Sequence, residues 1–472
     1  MSATWLIARD EWRALLRNRS GIVACALLVL LVLVASFTSL DRRADIEADR
    51  ARYQAQVDAE FDAQPNRHPH RMVHYGQFVF RPLAPLAFFD TGLDSFTGNT
   101  IFLEGHRQNS ANFAEARQSS LLMRFGQLTP AFVLQTLAPL LIVFLAFASV
   151  ARERERGTLR LMLSQGVKAR SVLLGKLVGH GAIALAIGLP AFLVLGGFAL
   201  TGAAQWGVTL AMIAGYAAWL LLWALLGVIV SSFARRSRDA LALLVGLWMV
   251  IVILLPRALP VMAEQQASLD TRIETEIALH RDLAKIGDSH NPDDPYFNAF
   301  REKVLAQYKV KRVEDLTVQY AGLVGMEGER LTTQIYADAA SRAQGREAEQ
   351  NGLVHRFALV SPLIAIRQLS MALASSDLAA HTDFLEQAEA FRYAFVQKLN
   401  RLQVDLIGKV GGNDPRISAR YWQDIPRFAY RADQPFARPA ALLWPASVLL
   451  GWLIALALIA MLAARRLERT PR

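Results

Sequence analysis

The 472-residue chain has a single cysteine, Cys25. No intrachain disulfide can form, and no cysteine-based zinc or iron–sulfur site is possible. A phosphate-binding loop of the G-x-x-x-x-G-K-[ST] type is missing. Gly175-Lys176 is followed by leucine, and no glycine stands five residues before Gly175. The chain therefore does not bind ATP through such a loop. Neither H-E-x-x-H nor G-x-S-x-G occurs. Charge is scarce in one telling place. Six apolar runs, 21–40, 130–150, 182–200, 208–233, 240–262 and 442–463, contain no Asp, Glu, Lys or His, and Arg257 is their only charge. Ion-coupled transporters and proton pumps need ionisable groups at membrane depth. Their absence argues against a secondary transporter and against an intramembrane aspartyl or zinc protease. If this chain moves a cargo, the energy comes from elsewhere.

What is present is apolar. Hydrophobic residues make up 53% of the chain, charged residues 19%, and mean hydropathy is +0.25. That excludes a disordered protein and exceeds what a plain soluble enzyme needs. Each of the six runs has about the 20 residues needed to cross a hydrocarbon core. Pro256, Arg257 and Pro260 fray the outer end of the fifth. The Phe-rich stretch 78–103 is also apolar, but Arg81, Pro82, Pro85, Asp90 and Asp94 interrupt it. It reads as a surface or interfacial segment rather than a span. The first run is too long for a signal-peptide core and follows a segment with four arginines, so it is expected to be retained.

The formal charge of +10 admits nucleic acid or membrane topology as its cause. Position decides. With the N-terminus in the cytoplasm, the cytoplasmic pieces are 1–20, 151–181, 234–239 and 464–472. They hold eighteen Lys or Arg against six Asp or Glu, which is more than the whole net charge. Each piece is basic by itself, as the positive-inside rule requires. The excess is a topology signal, and no nucleic-acid partner is expected. The fold class is an all-α polytopic membrane protein with six transmembrane helices and two extracytoplasmic, mainly helical domains, 41–129 and 263–441.

The outer segments carry helical patterns. Residues 21–64 read as one long helix with Tyr53, Val57 and Phe61 on one face. A second helix is expected over 109–126. Leu269, Ile273, Ile277 and His280 form a stripe, and a better one runs from Phe384 through Ala388, Phe391, Phe395, Leu399 and Leu402 to Leu406. Such stripes are the packing faces of a bundle, or else a partner-binding groove. His68, His70 and His74 cluster outside the membrane in H-P-H-R-M-V-H. Imidazoles suit copper or zinc. Pro69, however, is expected to break any shared helical face, so an ordinary loop is the default and no metal is expected. His106 and His180 stand alone and read as structural.

The cytoplasmic loop after the second run carries the functional pattern. Glu153-Arg154-Glu155-Arg156 ends one helix. Gly157 and Thr158 form a break, since glycine adopts angles other residues resist and threonine caps. Leu159, Leu161, Met162 and Leu163 then give a short apolar helix ending at Ser164, suited to a membrane surface or a partner's groove. The bland alternative is a solvated connecting loop. At the N-terminus, Trp5, Ala8, Trp12, Leu15 and Leu16 share a face beside Arg9, Arg13 and Arg17, an interfacial helix by composition. Gly175-x-x-x-Gly179 reads as a small-residue helix contact or as ordinary membrane glycine.

Glu153-x-Glu155-x-Gly157-Thr158-Leu159, then Leu163-Ser164 and Gly175-Lys176, resembles the coupling-helix signature of type 2 ABC transporter permeases (ABC-2). A narrower resemblance spans nearly the whole chain: the branch whose insert between spans 5 and 6 is catalogued as domain of unknown function 3526. Tyr75-Gly-x-Phe-x-Phe-Arg-Pro82, Leu103-Glu-Gly-His-Arg-Gln-Asn109, Ser361-Pro-Leu-Ile-Ala365, Ala388-Glu-Ala-Phe-Arg392 and Trp422-x-x-Ile-Pro-x-Phe-x-Tyr430 carry it. Ala374-Ser-Ser stands where the pattern would have a glycine.

The resemblance implies a permease paired with a second copy or a related chain, above two ABC ATPase subunits. The ATPases bind ATP and magnesium, and this chain binds no cofactor and is not an enzyme. Glu153 and Glu155 would pair with basic ATPase residues, with Arg154 between them and Gly157-Thr158 setting the turn. Leu159 and Leu163 would fill a groove. The implied location is the bacterial inner membrane, in contact with lipid, with both termini cytoplasmic. Three functions compete: ATP-driven export, mechanical transmission to a periplasmic or outer-membrane protein, and a membrane scaffold. The coupling pattern disfavours the last.

Overall fold

The computed structural model describes residues 2–109, 127–287, 291, 293–407 and 415–469. The helix expected over 109–126 lies almost wholly outside the described residues.

Among the described residues, six helices are long and apolar enough to cross a membrane. Span 1 is the first part of α2 (Arg19–Asp62), which follows the short α1 (Ala3–Arg17). Asn18 separates them and accepts a hydrogen bond from the Gly21 amide, capping α2. At about 1.5 Å per residue, the 44 residues of α2 extend about 66 Å, twice what a bilayer core needs. Span 2 covers Pro130–Glu155 and ends in the short α4 (Ala151–Glu155). Next come α5 (Thr158–Ser164), α6 (Ala169–Leu200, span 3), α7 (Trp206–Phe233, span 4) and α8 (Ser237–Gln266, span 5). The insert brings α9 (Arg272–Lys285), α10 (Pro295–Tyr308), α11 (Tyr320–Arg356), α12 (Pro362–Leu373) and α13 (Leu378–Leu406). Span 6 is α14 (Pro439–Arg469).

The span core is filled by Tyr216, Trp219 and Trp223 of α7, all fully buried. Span 2 contains a π-turn at Val133–Leu137, which frees backbone carbonyls. The indole N–H of Trp219 donates to the Leu134 carbonyl and that of Trp248 to the Thr136 carbonyl, each at 3.0 Å. Those bonds satisfy groups that would otherwise be orphaned in an apolar interior.

The stretch 78–103 does not span. It forms an antiparallel pair, β1 (Gln77–Phe80) and β2 (Thr100–Leu103), with Gln77 opposite Leu103. It is more buried than a surface segment: Leu86, Phe88 and Phe89 join the span core. The cause is an interruption every few residues. Prolines and charges forbid a helix while the phenylalanines still need burial.

The two outer segments form one body rather than two. Phe61, Met72 and Val73 from the first pack with Phe395, Leu399 and Trp422 from the second. Val79, Ile101 and Leu103 pack on Phe384 and Ala388. The α13 stripe is the seam, because neither segment alone covers its apolar face. The other expected stripe faces outward: Ile273 is 72% exposed and Ile277 54%, with Leu269 and His280 also exposed. In α9 it is Leu279 and Leu283 that are partly covered instead. Helix α12 sits lower than an outer helix would. Its Leu369 and Ile366 press on Gly215 of span 4, where an added Cβ would lie 2.8 Å from Leu369.

Candidate functional site: the loop between spans 2 and 3

The chain between spans 2 and 3 folds as two short helices with a sharp break. Gly157 stands at φ +72°, a left-handed conformation that glycine adopts without penalty. Nothing lies within 4 Å of the position a Cβ would occupy, so the demand there is conformational only. Thr158 donates from its hydroxyl to the Glu153 carbonyl at 3.1 Å and contacts the Glu153 carboxylate.

Three consecutive residues before the break are each held by a different span. The Glu153 carboxylate accepts from Lys176 Nζ of span 3 at 3.0 Å. Arg154 donates to the Ala234 carbonyl and, at 2.7 Å, to the Ser232 carbonyl, both at the end of span 4. Glu155 accepts from the Ser237 amide at 2.8 Å and its hydroxyl at 2.7 Å, capping the start of span 5. These bonds take up the polar groups that helix ends leave unpaired. One residue pair earlier, Ser231 of span 4 accepts from the Val150 and Ala151 amides, both at 3.0 Å. A displacement of α4 is thus felt directly by spans 3, 4 and 5.

Helix α1 joins the same assembly. Gly175 and Gly179 of span 3 face it: an added Cβ would stand 2.7 Å from Ile7 Cβ at Gly175 and 2.9 Å from Glu11 Cβ at Gly179. The small-residue pair therefore seats the N-terminal helix rather than another span. Lys176 Nζ lies 2.5 Å from Glu11, so one ammonium bridges two carboxylates from α1 and α4. His180 Nε2 stands 3.1 Å from the other Glu11 oxygen, within ion-pair distance though not aligned as a hydrogen bond. Burial by itself would raise the Glu11 carboxyl. The adjoining His180 ring and Lys176 ammonium outweigh it and hold the group down at about 2. Sequence reading noticed Lys176 only as part of a pattern, took His180 as a lone structural residue and passed over Glu11. No spacing rule connects positions 165 residues apart.

The structure distributes the expected residues unevenly. Glu153, Arg154 and Glu155 all bind within the chain, Glu153 and Arg154 half-buried and Glu155 exposed. Leu159 is buried in the span core, and Leu163 packs partly against it. The outward surface is made instead by Arg156, Arg160, Leu161 and Ser164, with Leu161 56% exposed. The reason is the turn at Gly157, which rolls α5 so that Leu159 points inward. On α1, Ala8 is buried and Trp12 and Leu15 pack partly on the spans, while Trp5 and Leu16 stay exposed.

At the opposite end of the bundle, a second polar junction ties the spans to the outer body. Gln135 of span 2 donates to the Tyr216 hydroxyl of span 4 at 2.8 Å, and that hydroxyl meets Ser370 of α12 at 2.9 Å. Arg367 of α12 donates to Gln135 at 3.3 Å. All but Arg367 are buried below the surface of the bundle.

The histidines also rearrange. Pro69 does not break a helical face. It begins α3 (Pro69–Val73), the position where proline suits a helix. His68 becomes the cap, its Nδ1 accepting from the His70 amide at 3.1 Å. His70 and His74 then fall one turn apart, and His106 joins them in place of His68.

Six spans, a basic N-terminal helix and a loop anchored to three spans define a polytopic α-helical membrane protein. Two family models match consecutive parts of it: ABC-2 family transporter protein over residues 104–265, and domain of unknown function DUF3526 over 272–431. The chain thus carries an ABC-2 family transporter domain over 104–265, followed by a DUF3526 domain over 272–431. No curated protein matches it.

Proposed function

We propose that the chain is the membrane subunit of an ATP-driven exporter, moved by a separate ATPase that docks on α5. The observation that carries this reading is the anchoring of Glu153, Arg154 and Glu155 to three different spans. A partner can shift a conformational equilibrium only through its differential binding to the two states. A loop bonded to three spans turns that binding into span movement, and the exposed face Arg156, Arg160, Leu161 and Ser164 is what it presents. This face lies in the cytoplasm with both termini, as the basic loops require. The membrane is the bacterial inner membrane. A second permease copy or a related chain, and two ATPases, complete the assembly. The ATPases bind ATP and magnesium.

Export is favoured by a cavity of about 610 Å³. It sits at the outer end of span 1, lined by Tyr53, Phe78, Phe80 and Phe88 together with Arg42, Arg43, Arg50, Asp49, Glu60 and Asp94. Aromatic walls with charges of both signs suit an amphiphile. Mechanical transmission is the second reading, favoured by the unbroken α2, which runs from the α1 end of the bundle through the spans into the outer body.

The test is ATP hydrolysis by the chain with the ATPase encoded beside its gene, in lipid nanodiscs. Activity only in the complex, stimulated by an amphiphile, is the expected result. Stimulation by an outer protein alone selects transmission. No association with an ATPase sinks both.

A further inference from the structure

Two histidines one helical turn apart and a third more distant in sequence converge on the outer body. The ring nitrogens of His70, His74 and His106 lie within 4.8 Å of one another. Nε2 of His70 and Nε2 of His74 approach to 3.2 Å, and the ring of His106 lies 5.2 Å from that of His74 by centroid. Behind them stands a carboxylate. His106 Nδ1 is 3.0 Å from Glu329 Oε2, which also accepts from the His106 amide at 3.1 Å. Glu329 is fully buried in α11, and its other oxygen meets Arg392 of α13 at 2.5 Å. His106 itself holds φ +63°, a left-handed backbone that a β-carbon resists and that is kept where the surroundings enforce it.

We propose that His70, His74 and His106 form a binding site for one first-row divalent cation of the imidazole-preferring class, Zn2+ or Cu2+. Three imidazoles converging with no carboxylate among them suit these ions rather than calcium or magnesium. Glu329 fixes the Nδ1 proton of His106 and leaves Nε2 as its ligating atom, the second-sphere arrangement usual for metal-bound histidine. His74 is exposed, so the fourth coordination position opens to solvent. The ion would lock α3 to the turn after β2 and, through Glu329 and Arg392, to α11 and α13. It would therefore cross-link the first outer segment to the insert.

The experiment is a titration of the tag-free full-length chain in detergent, with ZnCl2 read by a chromophoric indicator and CuCl2 by its visible absorption. One ion per chain is expected, with a rise in Tm on binding. The stronger arm identifies the metal. His74→Ala and His106→Ala abolish the site. Glu329→Gln weakens it by about 10–100-fold, the usual cost of losing such a partner. His68→Asn keeps the cap of α3 and leaves binding intact. His74 is exposed, so its variant folds, which metal-free unfolding confirms. The proposal is overturned by the absence of saturable binding of either ion, by binding that survives His106→Ala, or by binding that is lost in His68→Asn.

Discussion

Lys176 sits where α1, α4 and span 3 meet, its ammonium between Glu11 and Glu153. Replacing it with methionine strands two carboxylates in a largely buried site. Removing one partner of a buried ion pair costs about 3–5 kcal/mol, so the Lys176→Met chain should unfold at clearly lower denaturant than the parent. Glu11 adds a pH signature. Its carboxyl titrates at 4.5 in the free helix and about 2 when docked, so the docked state holds fewer protons. Attachment of α1 is therefore at full strength above 4.5 and is lost as pH falls toward 2. A fluorophore at Arg17→Cys, in a Cys25→Ser background, should report release in that window and no change above it. At the turn, Gly157→Ala meets no atom but must hold a left-handed backbone, at about 1–2 kcal/mol. ATPase stimulation should fall in this variant while membrane insertion is unchanged. Full stimulation would remove Gly157 from the coupling role.

At the scale of elements, helix seating and helix capping separate cleanly. Gly175→Leu places side-chain atoms where Ile7 and the Thr4 carbonyl already stand. Helix α1 should leave span 3, and Trp12→Cys, again in the Cys25→Ser background, should become reactive to a soluble maleimide. Unaltered reactivity would mean that α1 is held by its charges alone. Glu155→Ala removes the acceptor of the Ser237 amide and hydroxyl, so the start of span 5 should fray, seen as faster amide exchange at Ser237. The existence of α2 and the α13 stripe was legible in the sequence, because unbroken periodicity is a local property. The stripe on α9 does not pack within the described residues, which leaves the second of its two readings. Periodicity says that a face is apolar but not whether a neighbour exists to cover it, and Ile273 and Ile277 stay exposed among the described residues. The hairpin β1–β2 was missed because its strands are four residues each and are separated by prolines and a turn.

At the scale of the whole molecule, the loop between spans 2 and 3 and the outer body are joined by two routes, the unbroken α2 and the Gln135–Tyr216–Ser370 junction. Tyr216→Phe removes the shared hydroxyl, while Gln135 and Ser370 keep the Asp90 carboxylate beside them. A cost of about 0.5–1.5 kcal/mol, that of one net hydrogen bond, follows. If the junction transmits movement, ATPase stimulation by an outer ligand falls more than basal hydrolysis. An equal fall in both marks it as structural. Sidedness is tested by single cysteines at Arg160 and Tyr53 in the Cys25→Ser chain. A membrane-impermeant maleimide added to intact spheroplasts should label the second and spare the first.

The sequence by itself determined the number of spans, the length of α2 and the charge bias that orients the termini. These follow from run length, period and the sign of short loops, each readable without knowing what lies nearby. It also carried the pattern Glu153 to Leu159, but not its geometry. Only the tertiary structure decided that those carboxylates bond to Lys176 and Ser237 and that Leu159 is core. It alone brings Glu11 to Lys176, replaces His68 with His106 beside His70 and His74, and merges the two outer segments on α13. Each of these joins residues far apart in the chain, where packing and mutual burial choose the partner and no local pattern records the choice.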